Sequence, residues 1–300
     1  MEEKRFLTIF SSVKVSKNGK RLVVERGDKR ISLLVSQLRG ILVFGKSSLS
    51  GDAINMLLSE DIPLFFLTRW GKLKGMLLSE FLPSNNNSRL RQYELFNTRR
   101  EEVAKFFVLK KLEEIERVFL LELDREKELL AGAKDLDTIR GIEGNASRKM
   151  FQKVKDELRE TEFTFNGRAY NPPPDEVNAL LSFAYTMVYL TTLPPVVALG
   201  YDPYIGFLHA KRGTHAAFCS DVMEPVRPLI TYTLVEGIKR KLFKRDDFEE
   251  TLKGYRLKEE PLGRFLNWFE RETPKVLEKI SQTLAEFKVS FEEPQGVEIQ

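Results

Sequence analysis

Three hundred residues, 42% of them hydrophobic and 31% charged, describe an ordinary globular chain, too long for one typical core and suited to two domains. A formal charge of +4 excludes a histone-like basic protein and permits a nucleic-acid partner without demanding one. A single cysteine excludes an intrachain disulfide and speaks against a thiolate zinc site, which fits a reducing, cytoplasmic setting.

The first residues, MEEKRFLTIF, lack the basic-then-apolar order of a signal peptide. Uncharged runs are expected to stay below the roughly 18 residues of a membrane span, so no membrane partner is expected. Residues 1–82 read as a β-domain. FLTIF (6–10) is a short apolar run, and Val13 and Val15 alternate with polar residues. Asn18-Gly19 predicts a hairpin turn with RLVVE as the return strand, and Gly27-Asp28 predicts a second turn before ISLLV (31–35). ILVF (41–44) and PLFFL (63–67) read as buried strands, GDAINMLLSE (51–60) has helical spacing, and KLKGMLLS (72–79) closes the unit. Many short strands with one helix predict a small β-sandwich or open barrel.

The polar stretch Pro83-Ser84-Asn85-Asn86-Asn87-Ser88 predicts a linker over 83–89. Arg89, Arg91, Arg99 and Arg100 follow, either as the solvated face of a helix start or as a phosphate-contacting collar. Residues 90–300 read as helical. Val103, Phe106, Phe107, Leu109, Leu112, Ile115 and Phe119 recur at helical spacing, and a break falls near Ala131-Gly132. Asp137 is expected to cap a helix containing Glu143 and Arg148. Residues 163–168, ending at Arg168, interrupt the helices, and three prolines open an apolar helix over 175–192 whose end Pro194-Pro195 should disturb. Helices near 203–211, 221–242 and 262–288 complete the region. The expected class is α+β with two domains: an N-terminal β-sandwich-like domain followed by a larger all-α domain.

The chemistry concentrates between Tyr201 and Pro228. This stretch holds both histidines, His209 and His215, and the lone Cys219. It also holds the acids Asp221 and Glu224 and the cations Lys211, Arg212 and Arg227. Imidazole and carboxylates beside cations suit a divalent metal that must meet a phosphate; with carboxylates, imidazole suits Mn²⁺ better than Mg²⁺. A lone histidine on an apolar helix is ordinarily a core residue, and Asp-x-x-Glu is also a helix-capping pattern with Asp221 as N-cap. Those readings stay open beside the metal one. Glu143 lies in the turn Gly141-Ile142-Glu143-Gly144, where small neighbours allow close backbone approach to another element or a ligand. Tyr185 and Tyr189 are four apart on the preceding helix, where core packing is the default and contact with a DNA end the sharper possibility. A His215–Cys219 nucleophile pair is disfavoured, because nothing nearby orients the imidazole. There is no Gly-rich phosphate loop and no GxSxG elbow.

Four motifs, in order, carry a resemblance. They are LDTIRGIEGNASRKMF (136–151), PPPDEVNALLSFAYTMVY (172–189), LGYDPYIGFLHAKRG (199–213) and SDVMEPVRPL (220–229). Together they resemble the CRISPR-associated endonuclease and integrase of spacer acquisition, the first-numbered Cas protein, over nearly the whole chain. The resemblance implies a dimerising β-domain (1–82), a linker and a helical catalytic domain. It implies Mn²⁺ or Mg²⁺ held by Glu143, His209 and Glu224, with Asp221 as a neighbouring catalytic acid that takes a proton or orients a metal-bound water. Arg89, Arg91, Arg148, Arg168, Tyr189, Lys211, Arg212 and Arg227 are the candidate DNA contacts. The implied partners are double-stranded and branched DNA, a second copy of the chain, and the small second-numbered Cas protein. Pro225 and Thr231 stand where the family often has acids, and the usual K-x-x-N-Q run of the first long helix reads KKLEEIER (110–117) here. The alternatives are a branched-DNA repair nuclease outside CRISPR and a non-catalytic DNA scaffold whose acids are a helix cap.

Overall fold

The computed structural model describes residues 5–9, 13–68, 73–79, 87–169, 172–210, 215–252 and 254–292. They fall into two compact units, Met1–Leu82 and Pro83–Gln300.

The first unit contains β1 (Arg5–Ile9), β2 (Val13–Asn18), β3 (Arg21–Arg26), β4 (Lys29–Leu34), β5 (Leu38–Phe44), β6 (Ser47–Leu49), α1 (Gly51–Ser59), β7 (Leu64–Leu67) and β8 (Leu73–Leu77). Two four-stranded sheets form, in the orders β1-β5-β7-β8 and β4-β3-β2-β6. Each is mixed: β5 lies parallel to β1 and β7, and β6 lies parallel to β2, while the remaining neighbours run antiparallel. The apolar alternation of the strands puts Ile9, Val15, Leu22 and Ile41 into one core, together with Leu57 from α1. Ser50 caps α1 by accepting the Ala53 N–H at 3.2 Å. The first hairpin is shifted from expectation. Asn18 pairs with Arg21, so the turn residues are Gly19 and Lys20, and Gly19 takes the left-handed φ of +59° that glycine adopts without strain.

The second unit contains α2 (Asn87–Thr98), α3 (Arg100–Phe119), α4 (Asp124–Gly132), α5 (Leu136–Glu157), α6 (Glu176–Ala198), α7 (Ala217–Val222), α8 (Val226–Lys239), β9 (Phe248–Thr251), β10 (Gly254–Leu257) and α9 (Glu259–Phe291). The unit is not all helix. β9 and β10 form an antiparallel hairpin, and β10 packs against α6. Residues 87–89, expected in the linker, already belong to α2, and residues 83–86 lie outside the described residues. α5 is capped by Asp135, whose carboxylate accepts the Thr138 N–H at 2.8 Å; Asp137 sits in the first turn instead.

α6 departs from two expectations. It continues through Pro194 and Pro195 to Ala198, because most of its surface is buried and packing outweighs the local proline cost. Residues 177–201 carry no charge, so an uncharged run does exceed the length of a membrane span. In this fold 61% of that apolar window is buried inside the protein, as the central helix of the unit.

Two further corrections position the site. No helix forms over 203–210: residues 203–204 are a turn and 207–209 a bend, and 211–214 lie outside the described residues. The expected helix 221–242 is two helices, α7 and α8, joined at Met223–Pro225. Beneath this region Phe287 of α9 meets Phe107 of α3 with ring centroids 5.7 Å apart, Phe218 of α7 at 5.6 Å, and Phe207 at 6.1 Å.

Candidate functional site

α3 shows the logic of the site most directly. Its buried positions are Val103, Ala104, Phe107, Val108, Lys111, Leu112, Glu114, Ile115 and Phe119. Among these mostly apolar residues is a lysine whose side chain is only 4% exposed. A buried ammonium needs carboxylates. Lys111 donates to Glu143 on α5 and, at 2.6 Å, to Oε2 of Glu224 in the α7–α8 joint. Ser147, one turn along α5, donates to the same Glu143 oxygen at 2.7 Å.

His209 reaches the same place from a loop that is held on both edges. The buried Asp221 carboxylate accepts the backbone N–H groups of Phe207, Leu208 and His209. This is why 203–210 is not a helix: those N–H groups are aimed at a side chain rather than at carbonyls four residues back. On the other edge Arg100 donates to the Phe207 carbonyl at 3.0 Å, and Arg140 donates through two nitrogens to the Leu208 carbonyl at 3.1 and 2.9 Å. Gly206 is required here, since a Cβ would come within 2.7 Å of the Ala217 backbone. The imidazole Nδ1 faces Asp221 Oδ1 at 2.7 Å and donates there, so in the neutral ring Nε2 keeps its lone pair. Nε2 stands 3.5 Å from Glu224 Oε1.

The electrostatics follow from burial and neighbours. Burial alone would raise the Glu224 carboxyl; Arg227, Lys111 and His209 outweigh it and bring its pKa down to about 2. Burial alone would lower His209, but its hydrogen bond to Asp221 and the charge of Glu224 raise its pKa above the ordinary value. Burial likewise opposes the charge on Lys111, and Glu143 and Glu224 more than restore it, raising its pKa.

Lys111, Glu143, His209, Arg148, Arg168 and Arg227 all line one cleft of about 750 Å³. Asp221 and Glu224 do not line it. Asp221 is fully buried and caps no helix: it is the acceptor that shapes the His209 loop. Among the described residues no three His, Cys, Asp or Glu side chains stand close enough together to hold one ion. The Lys111 ammonium lies between two of the three candidate ligands. The residue types nevertheless suit a hard divalent cation: the Glu143 and Glu224 carboxylates meet at the Lys111 ammonium, and the His209 imidazole stands 3.5 Å from Glu224.

The other candidate residues separate clearly. Arg148 and Arg168 face the cleft, but Arg168 also donates to Asn178 Oδ1 at 2.9 Å and to Ser182 Oγ at 3.1 Å. Arg227 pairs with Glu224 at 3.1 Å and lies over the Tyr185 ring, 5.1 Å from its centroid. Tyr189 does not line the cleft. Its phenol oxygen accepts the Ala216 N–H at 2.8 Å, its ring stacks on His215, and burial pushes its pKa up to about 12. His215 meets Ser220 Oγ at 2.6 Å, and Cys219 is buried with its thiol pKa pushed up. The arginine collar is mostly structural. Arg91 donates to the Phe291 carbonyl at 2.8 Å, Arg99 pairs with Glu102, and Arg100 holds the His209 loop. Lys211 and Arg212 lie outside the described residues. Around Glu143, a Cβ on Gly141 or Gly144 would meet nothing within 4 Å, so these glycines serve no close packing; Gly144 lines the cleft and leaves it open.

A family model described as CRISPR associated protein Cas1 matches residues 7–271. The chain belongs to this family. A relative from Thermus thermophilus named CRISPR-associated endonuclease Cas1 1 is 31% identical over 95% of this chain and 88% of its own length. The solved Cas1 protein of Thermotoga maritima has a TM-score of 0.86 at 22% identity, covering 97% of this chain and 98% of that one. A casposase bound to integration product has a TM-score of 0.85 at 20% identity, covering 96% and 92%. These two likenesses establish that the Cas1 fold is shared.

Lys111 and Arg140 were not among the candidate site residues, and Arg100 was read only as part of a helix face or phosphate collar. Lys111 had a signal, a charge among the mostly apolar buried positions of a helix. The two arginines had none, because their partners are backbone carbonyls more than sixty residues away in sequence.

Proposed function

We propose that this Cas1 chain is a divalent-metal-dependent DNA endonuclease and integrase that joins the 3′-hydroxyl of a DNA fragment to a repeat-end phosphodiester of a CRISPR array. One observation carries the reading: Glu143 and Glu224 converge on a single cation with the His209 imidazole 3.5 Å from Glu224, and Glu143 and His209 line a cleft that also bears arginines. Glu143, His209 and Glu224 would hold Mn²⁺ or Mg²⁺, which when bound polarises a scissile phosphate and offsets charge on the attacking and leaving oxygens. The protein's own part is positional. Asp221 fixes the imidazole tautomer, and Arg140 and Arg100 fix the loop behind it. Arg227, Arg148 and Arg168 supply positive charge where phosphate oxygens must lie. Contacts of this kind read phosphates and DNA shape rather than sequence.

The scaffold reading needs Asp221 and Glu224 to be a helix cap. α8 instead begins at Pro225 without a side-chain cap, which weighs against it. Following the family, the β-domain (1–82) pairs two copies of the chain, and such dimers flank a dimer of the small second Cas protein on double-stranded or branched DNA.

The test is a labelled branched DNA that mimics a half-integrated fragment, incubated with Mn²⁺ and the native, Glu143→Ala or His209→Ala protein. The native protein rejoins or cleaves the branch, and both variants bind it without reacting. Equal activity in His209→Ala removes the metal assignment.

A further inference from the structure

The lysine between the two carboxylates calls for its own account. Two carboxylates meeting from different elements, Glu224 buried and Glu143 partly so, repel each other unless a positive charge stands between them. Lys111 supplies it from a third element, α3, and is nearly as buried as Glu224. Lysine suits the post because it is a compact point charge on a flexible stem. Arginine's planar fork would impose its own geometry.

We propose that Lys111 is a tethered stand-in for the metal: it holds Glu143 and Glu224 together in the metal-free protein, and metal entry releases its ammonium into the cleft. The inference rests on the metal-site reading above. A divalent ion bound by the two carboxylates must approach the point that the ammonium occupies, and the two cations repel at that range. Lys111 also lines the cleft, so its stem has open space to turn into. Once released, the ammonium becomes a further phosphate-binding cation in the same cleft. Loading the site with metal and arming the cleft for DNA are then one event. Lys111 acts as a positioning residue for the carboxylates and as a competitor for the ion.

Mn²⁺ is titrated into the full chain, native and Lys111→Gln, without DNA, and free Mn²⁺ is read by electron paramagnetic resonance. Lys111→Gln should bind Mn²⁺ at least about tenfold more tightly. Its metal-free melting temperature should fall, and Mn²⁺ should raise it by more than in the native protein. Equal or weaker Mn²⁺ affinity in Lys111→Gln overturns the stand-in role while leaving the metal site intact. No Mn²⁺ bound by either protein overturns both readings. A second measurement needs no variant. In the native protein, acetylation of Lys111 by an amine-reactive reagent, mapped by mass spectrometry, should be slow without Mn²⁺ and fast at saturation. Protection that persists in the Mn²⁺-saturated protein overturns the proposal even if the variant does not fold.

Discussion

Asp221 accepts the backbone N–H of His209 at 2.9 Å and meets the imidazole Nδ1 of the same residue at 2.7 Å. One carboxylate thus sets both the position of the residue and the face its ring presents. Asp221→Asn keeps the shape but turns part of the acceptor into a donor aimed at N–H groups. The expected result is a loss of about 10- to 100-fold in Mn²⁺ affinity and in activity on DNA. Helical content by circular dichroism should stay native, and stability should fall by about 1–3 kcal/mol. Unchanged Mn²⁺ binding in this variant would show that the imidazole needs no such anchor.

Arg140 tests the other edge of the loop. Its two hydrogen bonds to the Leu208 carbonyl cross from α5, the helix that also carries Glu143. Arg140→Ala should leave binding of duplex DNA nearly intact and lower the rate of cleavage or strand transfer by about tenfold or more. Arg140→Lys, which keeps the charge but loses the fork, should recover only part of it. A phosphate-binding role predicts a different pattern, in which Lys restores activity and Ala weakens binding and flattens its salt dependence.

Acid stability can be read at Glu114, one turn along α3 from Lys111. Its side chain is 1% exposed and pairs with Arg117 on α3 and Lys279 on α9. Burial alone would raise its pKa; the two cations outweigh it and hold it below the ordinary 4.5. A depressed carboxylate stabilises the fold at pH above its unfolded value, and that stability is lost as pH falls through the folded one. Melting temperature should therefore drop as pH falls below 4.5, and Glu114→Gln should flatten this part of the profile. At neutral pH the same substitution should cost about 1–3 kcal/mol. A profile in Glu114→Gln as steep as the native one would place the acid sensitivity elsewhere.

The strands of the first unit could be read from the chain because each rule acts locally. Turn glycines and two-residue alternation need only near neighbours, and the single slip, from Asn18-Gly19 to Gly19-Lys20, is one residue. The long helices were legible for the same reason. What failed was decided at a distance. The GFLH segment looks helical until Asp221, twelve residues on, takes its N–H groups. Asp221 and Glu224 look like a cap until Asp221 proves to lie inside α7 and α8 to start at Pro225 without a side-chain cap. Tyr189 and the arginines at the start of the helical unit suggest DNA contacts, yet most of these groups have protein partners. Glu143, His209 and Glu224 were proposed through the motifs that surround them, and the fold brings them to one region. Lys111, which ties two of them together, lies outside all four motifs.

The aromatic rings beneath the site belong to four separate parts of the chain, and Phe287 of α9 touches three of the others. It brings no polar atom to the chemistry. A chain cut short before Phe287 would keep every candidate metal ligand and every candidate DNA contact and still lose the floor under the histidine loop. Damage near the C-terminus would then be mistaken for a catalytic lesion, although it is a failure of the foundation.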